Sequence, residues 1–67
     1  MSKEGLIETC LELESEINCI HGTNYSLPYL TGVGYVSGLN NVYDYDEDQL
    51  KQAIEIGTRM AYNQEEM

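Results

Sequence analysis

The chain has 67 residues, with twelve acidic side chains against three basic ones (Lys3, Lys51 and Arg59), and a formal charge of −9. A single domain of this length buries only about 60% of the surface that its unfolded chain exposes, so its core is thin and self-association would add stability. The negative charge opposes direct binding to nucleic acid or to an anionic membrane and favours a basic partner.

Membrane insertion and secretion are not expected. No run approaches the ~20 apolar residues of a membrane span, and the N-terminus lacks the basic start and apolar run of a signal peptide. We therefore expect a cytoplasmic protein. Cys10 and Cys19 stand nine residues apart on one predicted helix, about 13 Å along its axis, which is too far for a disulfide. Both are expected to be free thiols.

The first predicted helix covers about residues 3–20. Ser2 is a candidate N-cap, with Met1 and Leu6 as a hydrophobic staple around it, and Gly22 stands where a helix end favours a left-handed residue. At 100° per residue, five apolar side chains fall within about 80° of arc and predict the core-facing stripe. They are Leu6, Cys10, Leu13, Ile17 and Ile20.

The opposite side of this helix carries an acidic stripe of Glu4, Glu8, Glu12 and Glu16. Like charges at four-residue spacing destabilise an isolated helix by about 0.2–0.5 kcal/mol per pair, and no cation is interleaved to offset the repulsion. The stripe is either a solvated face or a surface made for a basic partner.

Between the helices, residues 25–44 are rich in glycine and tyrosine. Tyr29, Thr31, Val33 and Tyr35 alternate with their neighbours, and a second short run follows the turn-like Ser37-Gly38, which favours a β-hairpin or meander. The predicted fold class is therefore α+β, with two helices flanking a short Gly/Tyr-rich hairpin. The alternative is an irregular or partly helical connector, which would give a small all-α domain.

The second predicted helix covers about residues 46–63, within a single domain of 67 residues. Asp46 is the predicted N-cap, Gln49 its capping-box partner, and Tyr45 with Leu50 the staple. An apolar arc of about 120° follows on the inner face. Its members are Leu50, Ala53, Ile54, Gly57, Met60 and Ala61.

A calcium site is the strongest metal motif that the sequence offers. Asp44, Asp46, Asp48 and Glu55 match positions one, three, five and twelve of a calcium-binding loop. However, Gln49 occupies the position that requires glycine, and the helix start inside the loop prevents it from wrapping an ion. We therefore expect no bound metal.

Catalytic and cofactor sites are also not expected. Gly32, Gly34 and Gly38 resemble a dinucleotide-binding turn only faintly, because the third glycine is one residue late. His21 is the single histidine and stands beside the capping Gly22. One histidine with Cys10 and Cys19 does not assemble a catalytic triad. The sequence therefore predicts neither an enzyme nor a cofactor.

The first functional hypothesis is charge mimicry. The glutamates of the stripe span about 18 Å at ~6 Å intervals, close to every second phosphate of one B-form strand. The predicted function is an acidic inhibitor or adaptor that occupies the basic surface of a nucleic-acid-binding protein or nuclease complex. In kind, this is similar to small acidic phage proteins that block host nucleases and polymerases, including anti-CRISPR and anti-restriction proteins. The predicted partner-binding residues are Glu4, Glu8, Glu12, Glu16, Asp44, Tyr45, Asp46, Glu47 and Asp48.

The second hypothesis is a homo-oligomer that serves as a structural scaffold or binds a small ligand. Ile7 and Leu11 lie between the apolar and acidic faces of the first predicted helix. In this reading, they and the tyrosine-rich segment are buried between subunits. It predicts stability that depends on protein concentration, whereas mimicry predicts a partner whose binding weakens steeply with salt.

Overall fold

A computed structural model describes residues 2–62. Over this range the chain forms α1 (Lys3–His21), α2 (Leu27–Thr31), a 3-10 turn (Val42–Asp44) and α3 (Glu47–Tyr62). The predicted α+β fold is wrong, because residues 2–62 contain no strand. The all-α alternative agrees with the structure. The staple contact of Met1 and the predicted helix end at residue 63 lie outside the described residues.

Local capping signals set both ends of α1 close to the predicted bounds. The Ser2 hydroxyl accepts a hydrogen bond from the Gly5 N–H at 3.3 Å, which satisfies one of the free donors of the first turn. At the other end Gly22 adopts a φ of +67°, and the Thr23 N–H donates to the Asn18 carbonyl at 2.9 Å. This left-handed ending explains why the helix stops there.

The segment predicted as the first strand begins instead with the short helix α2. Pro28 lies in its first turn, where a fixed φ and a missing N–H cost nothing. The Thr31 hydroxyl donates back to the Leu27 carbonyl at 2.9 Å, and Gly32 ends the helix with a φ of +80°. The alternating residues of this segment therefore belong to a short helix and the turn that follows it, and not to a strand.

Two further glycines replace the predicted hairpin by successive turns. Gly34 and Gly38 have φ values of +74° and +87°, which an extended strand cannot include. The Gly34 carbonyl accepts from the N–H groups of Ser37 and Leu39, both at 3.1 Å. The second predicted strand is also absent: it contains the 3-10 turn, which Asn41 caps by accepting from the Tyr43 N–H at 2.9 Å.

The capping box predicted for the last helix is confirmed. The Asp46 carboxylate accepts from the Gln49 N–H at 2.8 Å, and the Asp46 N–H donates to the Gln49 side-chain oxygen at 3.0 Å. Each residue satisfies a backbone donor of the other, so α3 begins at Glu47 as the sequence indicates.

Helices α1 and α3 run in the same direction. The Cys10 thiol contacts the Leu50 carbonyl at 3.6 Å, and a Cβ at Gly57 would lie 3.3 Å from Leu13. A later residue of α1 therefore contacts a later residue of α3. In a parallel pair, the end of α1 and the start of α3 lie at opposite ends of the domain. The connector, which contains α2 and the turns, must therefore span the length of the domain.

The predicted inner faces are confirmed in most positions. In α1, Leu6, Cys10, Leu13 and Ile17 are buried, but the predicted stripe stops there because Ile20 remains 45% exposed beside the helix end. In α3 four of the six predicted residues are buried, and Ile54 and Met60 are partly buried. The connector completes the core with Leu27, Val33, Val42 and Tyr45.

Candidate acidic surface

The acidic stripe of α1 (Glu4, Glu8, Glu12 and Glu16) begins in solvent and ends against α3. Glu4, Glu8 and Glu12 are exposed, whereas Glu16 is partly buried. Because residues four apart on a helix drift about 40°, the stripe turns from the side opposite the core toward the flank of α1. The freely solvated part of the stripe is therefore its first three glutamates, over about 12 Å.

Glu16 has a structural partner that the sequence did not predict. The Tyr62 hydroxyl donates a short hydrogen bond to its carboxylate, linking α1 to the last residue of α3. This hydrogen bond is the main reason that the pKa of Tyr62 is raised, because it stabilises the protonated phenol beside an ionised carboxylate. Glu16 is thus less available to a partner than the glutamates before it.

A further glutamate of α1, which sequence reasoning missed, binds the connector. The Glu14 carboxylate accepts from the Leu27 N–H at 2.7 Å and is partly buried. It satisfies a free backbone donor at the start of α2, as a capping side chain would. The partner lies 13 residues away, so no local pattern indicates the contact.

The second acidic group lies at the beginning of α3 and is named the α3 cluster: Asp44, Asp46, Glu47 and Asp48. All four residues are exposed. Their placement follows from the local backbone, because Asp44 ends the 3-10 turn and Asp46 caps the helix. Glu47 and Asp48 stand in the first helical turn, where the helix dipole favours negative charge.

Tyr45 does not belong to this surface, although the sequence assigned it to partner binding. Its side chain is only 1% exposed, and its hydroxyl donates to the Val33 carbonyl at 2.8 Å. Burial is the main cause of its raised pKa. Tyrosine and aspartate alternate over residues 43–46, but the two tyrosines differ in burial: Tyr43 is 62% exposed and Tyr45 lies in the core.

The stripe and the α3 cluster form two separate surfaces. The contact between Cys10 and the Leu50 carbonyl places the start of α3 beside the first half of α1, where Glu4 points away from the core. Within residues 2–62, the hydrogen bond that joins the stripe to α3 is that of Glu16 with Tyr62. Tyr62 lies fourteen residues beyond Asp48, or about 21 Å along the helix. A single partner would have to contact two faces to engage both groups.

In the part of the chain that the structure describes, no cation forms a salt bridge with either acidic group. Within residues 2–62 the ion pair is Arg59 with Glu55, at 3.1 Å and exposed, on the outer face of α3. The carboxylates of Glu4, Glu8 and Glu12 therefore face water without a salt bridge to any described residue, and their field extends over about 8 Å at physiological salt.

The described residues contain no group of three or more His, Cys, Asp and Glu side chains placed to hold a metal ion. No helix among them is long and apolar enough to cross a membrane. No protein family, no curated protein and no solved structure matches this chain.

Proposed function

We propose that the protein is a small acidic inhibitor or adaptor that occupies the basic, nucleic-acid-binding surface of a partner protein by charge mimicry. The observation that carries the proposal is the row of exposed carboxylates at Glu4, Glu8 and Glu12, none of which forms a salt bridge with another residue of the range 2–62. On a helix these charges are about 6 Å apart, close to every second phosphate of a B-form strand.

The rigidity of α1 supports this role. The helix is capped at both ends, and its inner face is held in the core by Leu6, Cys10, Leu13 and Ile17. Packing therefore fixes the helix backbone that carries these glutamates, despite a repulsion of about 0.2–0.5 kcal/mol per neighbouring pair. A row fixed before binding loses less entropy when it meets a basic surface.

The outer face of α3 offers a comparison within the same chain. There Glu55 binds Arg59 four residues later, the arrangement that stabilises a solvated helix. In α1 the equivalent positions are occupied by glutamate throughout. Solubility alone does not require such a uniform row, because alternating charges would also keep the face in water.

The proposed partner is a nucleic-acid-binding protein, such as a nuclease or polymerase complex, with a row of lysine or arginine side chains. Electrostatic steering would make association fast at low salt and strongly dependent on ionic strength. The α3 cluster would add a second, separate contact or would only stabilise its helix.

The decisive experiment compares two double variants that remove the same charge. Glu8→Gln/Glu12→Gln neutralises the exposed middle of the stripe, and Glu47→Gln/Asp48→Asn is the matched control in the α3 cluster. Proteins from a cell lysate are captured on the immobilised wild-type protein at low salt, eluted with a salt gradient and identified. Their binding to each variant is then measured over a range of salt concentrations.

We expect the stripe variant to become more stable and to bind less tightly. Removing the three like-charge contacts from Glu4 to Glu16 should stabilise the helix by about 0.6–1.5 kcal/mol at low salt. Affinity should fall mainly through slower association, and its salt dependence should flatten. If the affinity and salt dependence are unchanged in the stripe variant, these carboxylates only keep the protein in solution and the proposal is wrong.

A further inference from the structure

Three exposed tyrosines form a connected aromatic surface, named the tyrosine patch: Tyr25, Tyr29 and Tyr35. The rings of Tyr25 and Tyr29 lie 4.8 Å apart between centroids, and those of Tyr29 and Tyr35 lie 5.5 Å apart in an edge-to-face arrangement. Each side chain remains about half exposed, at 48%, 52% and 49% respectively. Val36, the next residue in the chain, is 99% exposed.

The patch lies in the uncharged part of a strongly acidic chain. Residues 17–43 contain no aspartate, glutamate, lysine or arginine. The Glu14 carboxylate lies beside this segment, where it accepts a hydrogen bond from the Leu27 N–H. Because residues 17–43 contain none of these charged side chains and Glu14 is engaged, a basic partner would find little charge to bind at the patch.

The patch and the acidic stripe lie on different sides of α1. Asn18 holds the Tyr25 backbone through two hydrogen bonds, at 2.8 and 2.9 Å, and Glu14 holds Leu27. At 100° per residue, the direction between Asn18 and Glu14 is about 120° from the centre of the stripe. Glu8, Glu12 and Glu16 are therefore turned away from the side of α1 that holds the tyrosine segment, and Glu4 lies fourteen residues before Asn18, about 21 Å along the helix.

We infer that the tyrosine patch is the interface of a homodimer, in which the patch of one protomer packs against the same patch of its partner around a two-fold axis. Two chains of charge −9 repel each other wherever their carboxylates face one another. At physiological salt, charges more than about 8 Å apart are screened, so two protomers that meet through an uncharged face avoid most of this repulsion. The two acidic stripes then remain on the outside.

The exposed area is sufficient for the centre of such an interface. A tyrosine side chain buries about 150–250 Å² when fully covered, so three half-exposed rings offer about 300 Å² per protomer. A standard interface buries about 800 Å² per partner, with an aromatic centre and a polar rim. Two-fold symmetry also suits the patch, because stacked and edge-to-face ring pairs can form between identical surfaces.

The test is sedimentation equilibrium over a range of protein concentrations, at low salt and at about 0.5 M NaCl. We expect a reversible dimer whose dissociation constant decreases as salt rises, because screening removes repulsion between the protomers. A contact made by opposite charges would show the reverse dependence. This experiment does not depend on the proposed function, since it uses the protein alone.

Two variants locate the interface with a matched change of charge. Tyr29→Glu places a carboxylate in the middle of the patch and should weaken the dimer about tenfold or more. Tyr43→Glu makes the same substitution at a tyrosine that is 62% exposed and outside the patch, and should leave the dimer nearly unchanged. Circular dichroism is used to check that both variants fold. Val36→Glu is a third variant, at a side chain that is almost wholly in solvent.

A monomer at all concentrations would overturn the inference, and so would a dimer that both glutamate variants weaken equally. A monomeric protein whose tyrosine patch captures a different protein would overturn it as well, in favour of a heterotypic interface. Loss of the dimer in Tyr29→Glu, together with a retained dimer in Tyr43→Glu, would support it.

Discussion

The hydroxyl of Tyr45 donates a 2.8 Å hydrogen bond to the carbonyl of Val33, twelve residues earlier, and both residues are buried. Val33 follows α2 and Tyr45 precedes α3, so this bond closes the connector on itself beneath the turns. It also satisfies a carbonyl that burial would otherwise leave without water.

Removing this hydroxyl should therefore be costly. In Tyr45→Phe the ring still fills its site, but the Val33 carbonyl loses its donor, and we expect a loss of about 1–2 kcal/mol in the free energy of unfolding. Urea denaturation followed by circular dichroism measures it. Tyr43→Phe is the control, and its exposed hydroxyl should change stability by less than about 0.5 kcal/mol. Equal effects in both variants would contradict this role of Tyr45.

The connector between α1 and α3 is the part of the fold that the sequence predicted wrongly. Both bounds of α1 and the start of α3 were predictable because capping residues act on backbone groups within three or four residues. The strand prediction rested on alternation and on the turn-like Ser37-Gly38 between two short runs. It gave too little weight to Pro28, which favours the first turn of a helix, and to glycines such as Gly34 whose positive φ interrupts an extended chain.

The candidate acidic surface was predictable in part, because helical periodicity is also a local pattern. Helical periodicity alone places Glu4, Glu8 and Glu12 in solvent, as the structure has them. The bond between Glu16 and Tyr62 joins residues that are 46 positions apart. Such contacts depend on the parallel arrangement of α1 and α3, which no local pattern in the sequence indicates.

Asp46 belongs to the acidic α3 cluster but acts first as a helix cap. Asp46→Ala should destabilise the protein by about 0.5–2 kcal/mol, because the Gln49 N–H loses its acceptor. Asp46→Asn removes the same charge but keeps an oxygen that can cap, so it should retain most of the stability. Thermal unfolding of the two variants compares them. If both lose stability equally, the charge of Asp46 matters more than its cap.

Gly57 provides a test of the contact between α1 and α3. A Cβ there would lie 3.3 Å from the Leu13 Cδ1 atom and 3.7 Å from the Ile17 Cδ1 atom. Gly57→Leu should therefore overpack the contact and cost about 1–3 kcal/mol. Gly57→Ala should have a smaller effect, because the gain in helix propensity of about 1 kcal/mol offsets a slight shift of the Leu13 side chain. A higher melting temperature for Gly57→Leu would show that the helices do not meet at this position.

The two cysteines should differ sharply in reactivity. Cys10 is fully buried with its thiol 3.6 Å from the Leu50 carbonyl, whereas Cys19 is exposed. Burial, with a smaller contribution from the Glu14 charge, raises the pKa of Cys10 to about 11. At about pH 8, Ellman's reagent should modify the thiol of Cys19 at once and that of Cys10 only after the protein unfolds. Equal rates in the folded protein would mean that the core around Cys10 is open to solvent.

The same shift predicts how stability depends on pH. Because the folded protein holds the neutral thiol more tightly than the unfolded chain does, the stabilisation that Cys10 provides is complete below its ordinary pKa of 9.0 and is lost as pH rises toward about 11. Cys19→Ser isolates this thiol, and Cys10→Ala/Cys19→Ser is its control for the titration of the tyrosines. We expect the difference in unfolding free energy between these two variants to shrink steadily across that interval. A difference that stays constant with pH would show that the Cys10 thiol ionises as easily in the folded core as in the unfolded chain.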